Sequence, residues 1–117
     1  MTKKSILGNT AFLAGMVVWA MQATAGETYY STSGLKQLLT GKKLTLVAGG
    51  VISYARNGRY TFQRQGQTYR GKWSVRRGRV CVTFINNNRR CDKYVKESGS
   101  IYFENAQGGR FKIKSVR

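Results

Sequence analysis

The chain contains no histidine and no proline, and only two cysteines and four carboxylates among its 117 residues. Each scarcity narrows what the protein can do. Without histidine the commonest general base is gone, together with imidazole as a metal ligand. The four acids are Glu27, Asp92, Glu97 and Glu104, and no two of them share a motif. A glycosidase needs two carboxyl groups facing one cleft. Glu97 and Glu104 could approach across a hairpin, but there they read as relief for surrounding positive charge. Cys81 and Cys91 are not spaced as C-x-x-C, and no imidazole is present to activate a thiolate. The glycines are spaced as turns and form no phosphate loop. The expectation is a protein that is not an enzyme and uses neither cofactor nor metal.

Long apolar runs are scarce as well. The stretch from Ala11 to Ala20, interrupted by Gly15, is shorter than the roughly 20 residues a bilayer span requires. It follows Lys3 and Lys4 and precedes Ala23-Thr24-Ala25, small residues of the kind a signal peptidase reads. This layout predicts a signal peptide over residues 1–25 and a single domain over 26–117, periplasmic or secreted. Two cysteines in an exported chain most simply pair with each other. A Cys81–Cys91 disulfide would close a loop of about ten residues and contribute roughly 3 kcal/mol.

What the chain has in excess is positive charge. Its 21 Lys and Arg residues give a formal net charge of +17. Nothing in folding calls for this, because self-repulsion destabilises a compact state. The surplus therefore reads as a surface that meets something anionic. Between Arg56 and Lys96 there are twelve basic residues and one acid. Over residues 26–117 Arg outnumbers Lys by eleven to eight, which suits bidentate contacts to phosphate or carboxylate.

The pattern that holds these charges is one of short strands. After a polar and aromatic lead-in at 28–32, Leu35, Leu38 and Leu39 fall at helical spacing, with Ser33 as a cap and Gly41 at the C′ position. Beyond Lys42 the period changes to two. Segments rich in Tyr, Phe, Val, Ile and Thr recur between glycines, predicting strands near 43–48, 51–56, 59–64, 68–76, 79–85, 89–96, 100–104 and 110–116. The fold class is mainly β: an antiparallel meander of seven or eight strands forming a small barrel or strongly twisted half-barrel. The short helix would plug one open end or cover an edge.

One hairpin can be set in register from sequence. A two-residue turn at Arg77-Gly78 pairs Arg76 with Arg79, Val75 with Val80, Ser74 with Cys81 and Trp73 with Val82. Trp73, Val75, Val80, Val82 and Phe84 then share an apolar face, while Lys72, Arg76 and Arg79 share the other. A slip of one residue would expose the tryptophan and bury an arginine. The disulfide, set across a hairpin turning at Asn86–Asn88, adds Arg89 and Lys93 to the basic face. The same parity points Arg90 and Asp92 toward the core, which requires either a bulge or a pairing between them. The last strand places Arg110, Lys112 and Lys114 opposite Phe111 and Ile113. Candidate anion-binding residues are therefore Lys72, Arg76, Arg79, Arg89, Lys93, Arg110, Lys112 and Lys114.

The segments "LKQLLTGKK", "YARNGRYTF", "YRGKWSV", "GRVCVTF", "RRCDKY" and "NAQGGRFKI" together resemble a small family of exported bacterial proteins classed as a domain of unknown function. The spacing of "GKWSV" to "GRVC" to "RCDKY" is the most specific part. The resemblance implies an exported, disulfide-bearing β domain. It brings no activity, cofactor or binding residues.

Two functional expectations follow. The first is a monomeric binding module whose basic face engages an anionic polymer or membrane surface: lipopolysaccharide phosphate, anionic lipid, acidic polysaccharide or nucleic acid. The second is an accessory or inhibitor module docking an acidic exported protein, with the Asn86–Arg90 loop as its probe.

Overall fold

A computed structural model describes residues 26–117, and the signal peptide expected over residues 1–25 lies outside the described residues. The elements in chain order are β1 (Glu27–Tyr29), α1 (Thr32–Leu39), β2 (Lys42–Leu46), β3 (Val51–Tyr54), β4 (Arg59–Arg64), β5 (Gln67–Arg76), β6 (Arg79–Phe84), β7 (Arg89–Glu97), β8 (Ser100–Glu104) and β9 (Arg110–Val116). From β2 to β9 each strand runs antiparallel to the next, and β9 returns to pair with β2. The meander is thus a closed eight-stranded barrel, a size whose interior is just wide enough for side chains to fill.

The alternation seen in sequence decides which residues fill it. Leu44, Leu46, Ile52, Tyr54, Tyr60, Val80, Val82, Tyr94, Phe103 and Ile113 are all buried in one core. At its centre the hydroxyls of Tyr54 and Tyr94 are 2.7 Å apart and hydrogen bonded. The β5–β6 hairpin has the register that the sequence requires, from Arg76 opposite Arg79 to Trp73 opposite Val82. Its turn residues Arg77 and Gly78 both have positive φ, 52° and 71°. This is the type I′ geometry that matches the twist of the flanking strands. Trp73 anchors the hairpin by donating from Nε1 to the Ala55 carbonyl at 2.9 Å.

In the next pair, Cys81 lies opposite Cys91 with the Cα atoms 4.0 Å apart, and the two form a disulfide. The same register sends Arg90 and Asp92 inward. There is no bulge between β6 and β7. Instead Arg90 Nε donates to Asp92 Oδ2 at 3.0 Å, so the inward charges answer each other.

Two details of the N-terminal region differ from the sequence expectation. The helix is capped by Ser31, whose hydroxyl accepts from the Gly34 N–H at 3.1 Å, whereas Ser33 lies inside the first turn. Ser31-Thr32-Ser33 offers three capping side chains in a row, so composition does not choose between them. The lead-in, which the sequence leaves as either an ordered stretch or a frayed end, contains a strand the sequence does not announce: Glu27–Tyr29 form β1, paired with Val95–Glu97 of β7. A three-residue strand shows no periodicity, and its partner is remote in the chain.

Leu35 and Leu39 are fully buried, and α1 packs against β2, β5 and β6. The Gly78 N–H donates to Thr32 Oγ1 at 2.7 Å, which ties the helix to the β5–β6 turn. The helix therefore plugs the barrel end that carries the 55–58 and 77–78 turns. The opposite end carries the connections at 47–50, 65–66, 85–88 and 105–109.

Candidate anion-binding surface

Strand alternation and register build a basic wall on the outside of β4, β5, β6 and β7. Lys72 pairs with Thr83, which pairs with Arg89, making one row across three strands. Ser74, Cys81 and Cys91 form the next row, and Arg76 opposite Arg79 begins the third. Arg59 on β4 extends the first row by standing opposite Lys72. All of these basic side chains are exposed.

The disulfide forms the floor of a hollow within this wall. Arg76, Arg77, Arg79 and Arg89 surround Cys81 and Cys91 in a depression of about 660 Å³. Arg79 and Cys91 also border a smaller hollow of about 250 Å³ that reaches Lys93 and Glu104. The sequence marks Arg77 as a turn residue only and does not by itself assign Arg59 to this face. The β4–β5 register that places Arg59 could have been extended from the 72–85 hairpin by the same parity argument.

The position of the acids makes this wall unusual. Arg110 on β9 binds three carboxylates at once: Glu27 Oε2 at 2.7 Å, Glu97 Oε1 at 2.9 Å and Glu104 Oε2 at 3.0 Å. These come from β1, β7 and β8, so one guanidinium joins four strands and holds the extra strand in place. Tyr29 adds a hydrogen bond from its hydroxyl to Glu104 Oε1 at 3.1 Å. Hydrogen bonding from Arg110 pulls the Glu104 carboxyl below its ordinary value. Hydrogen bonds to Glu27 and Glu104 push Arg110 the other way, holding it charged. Asp92, the fourth acid, is buried and paired with Arg90, which stays partly exposed. Burial raises the Asp92 carboxyl even though the Arg90 charge opposes the shift.

Two arginines thus engage every carboxylate side chain in the protein. Seventeen of the nineteen basic residues in 26–117 have no ion pair. Known protein families, curated proteins and solved structures give no match to this chain. The surface has to be understood from its own chemistry.

Of the eight residues singled out in the sequence, Lys72, Arg76, Arg79, Arg89 and Lys93 lie together on the outer face of β5–β7. Lys93 stands at the margin, opposite Glu104 in the ladder and with its Nζ 5.6 Å from the Tyr29 ring centroid. Arg110 is committed to its three carboxylates. Lys112 and Lys114 are exposed on β9, which lies on the opposite side of the barrel from β5. The eight residues therefore do not form one surface.

Like charges directly opposite on neighbouring strands are destabilising. The protein holds two such pairs here, Arg76 with Arg79 and Arg59 with Lys72, without a carboxylate to relieve them. Exposed guanidinium groups with free donor edges can each take a phosphate or carboxylate in bidentate fashion. Rows of them, spaced by strand separation, can take several anionic groups at once.

Proposed function

We propose that this protein is an exported, non-catalytic barrel that binds an anionic polymer or surface through the basic wall of β4–β7. The disulfide is compatible with an oxidising compartment, where structural disulfides form and persist. One observation supports the reading most strongly: the four carboxylates are gathered at Arg110 and Arg90, leaving the wall uncompensated. A surface evolved only for solubility has no need to keep like charges opposed on adjacent strands. Phosphates of lipopolysaccharide, anionic lipid headgroups, acidic polysaccharide and nucleic acid all present repeated negative charge of the kind this wall complements.

The arginine-lined hollow also favours a second reading, an accessory or inhibitor module that docks an acidic exported protein. A localised hot spot of this kind suits one acidic loop. Retention on immobilised lipopolysaccharide, heparin and duplex DNA across a salt gradient separates the two. A polymer or surface binder is retained on all three and eluted by salt. Retention on none of them would leave the protein-directed reading.

A further inference from the structure

The unplugged end of the barrel has a different chemistry from the wall. Arg90 is the first inward-facing residue of β7 after the 85–88 loop, so its guanidinium sits at this mouth. Its Nε is fixed on Asp92 below, and its side chain remains 35% exposed. Phe62, Tyr69 and Phe84 share a hollow of about 310 Å³ with Arg90. Tyr69, Phe84 and Arg90 also border a second hollow of about 800 Å³ that opens between the 85–88 and 105–109 loops. Among the described residues, three of the four exposed large hydrophobics, Val47, Tyr69 and Ile85, lie at this same end. Two buried side-chain atoms among the described residues, Asp92 Oδ1 and the Tyr60 hydroxyl, have no hydrogen-bond partner. Asp92 is the next inward residue below Arg90, and the Arg90 charge acts on the Tyr60 hydroxyl.

We propose that this mouth is a binding site for a small amphipathic monoanion, a carboxylate attached to an apolar or aromatic body. Some eight-stranded barrels hold one small ligand at an open end while side chains fill the rest, and ligand sites are mostly apolar with a few placed polar groups. The carboxylate lies against the free edge of Arg90, and the apolar body against Phe62, Tyr69 and Phe84. Arg64 in the smaller hollow and Arg70 and Arg89 in the larger add to the positive charge that draws a carboxylate in, while Asp92 behind Arg90 opposes a second negative charge at that guanidinium. The unpartnered Tyr60 hydroxyl and Asp92 oxygen belong to the core beneath Arg90 and line neither hollow. The larger hollow shares Arg89 and Cys91 with the outer wall, but Arg76 and Arg79 line neither hollow of this site.

Titration calorimetry and amide chemical-shift mapping with decanoate, below its micellar concentration, test the proposal, with decanol as the uncharged control. Decanoate should bind one-to-one and shift residues around 62, 69, 84 and 90. Decanol should bind about tenfold more weakly, as loss of a charge-assisted contact implies. The neutral pair Arg90→Gln with Asp92→Asn should lose decanoate binding to a similar degree. The wall variant Arg76→Glu with Arg79→Glu should keep it, which separates this site from polyanion binding. Equal affinity for decanol, or shifts confined to the outer wall, would overturn the proposal. Should the neutral pair fail to fold, Tyr69→Ser at the exposed rim must still weaken decanoate binding, and unchanged affinity there would overturn it equally.

Discussion

Arg76 and Arg79 stand directly opposite each other across the β5–β6 hairpin, and neither makes an ion pair. Their side chains reach water, so the repulsion is modest, but it is not relieved locally. Replacing Arg79 alone with Glu converts the opposition into a cross-strand ion pair. Such pairs contribute about 0.2–1 kcal/mol, which corresponds to a rise of roughly 2–4 °C in Tm for a gain of half a kcal/mol in a domain of this size. Retention on polyanions should fall in the same variant. Thermal melts and heparin elution on Arg79→Glu check both halves together.

The disulfide has a second role as the floor of the arginine hollow. Its removal in the Cys81→Ala, Cys91→Ala variant should lower stability by about 3 kcal/mol, the loop-entropy figure for a closure of this length. Denaturant unfolding with and without reductant measures it. Unreduced protein should also show no free thiol on labelling, and two reactive thiols under native conditions would contradict the structure.

The acids predict opposite pH effects. Glu104 has a folded pKa below its ordinary 4.5, so the stability it contributes is present above that value and is lost as pH falls through the lower folded one. Asp92 is raised above its ordinary 3.8, so its contribution is present below that value and is lost as pH rises through the folded one. Glu104→Gln should therefore flatten the loss of stability on acidification, and Asp92→Asn should steepen it. Denaturant midpoints measured from neutral pH down to about pH 3 would reveal the signs.

Much of the barrel is legible where one strand face is apolar and the other charged. The 72–85 hairpin is the clearest case, because Trp73, Val75, Val80 and Val82 alternate with cations and Arg77-Gly78 fixes the turn. Closure is not legible: nothing in Lys42–Leu46 announces that it will pair with Arg110–Val116, since the two are joined only when six intervening strands curl the sheet. The Arg110 cluster is hidden for the same reason. Glu27, Glu97 and Glu104 are scattered in sequence and meet only because β1, β7, β8 and β9 are neighbours in the folded sheet. At Arg90 and Asp92 the inward direction follows from parity, while their pairing depends on side-chain reach, which no periodicity encodes.

The central claim is that the uncompensated wall binds polyanions. Its most direct test is the salt dependence of binding to duplex DNA, used as a representative polyanion, for the parent and for Arg76→Glu with Arg79→Glu. The double variant keeps like charges opposed and reverses only their sign, so stability should change by no more than about 0.5 kcal/mol. With about four to six phosphate contacts, affinity of the parent should fall as roughly the fourth to fifth power of salt concentration. The double variant should bind far more weakly and with a shallower slope. A folded double variant that binds as tightly as the parent, or parent binding indifferent to salt, would contradict the account.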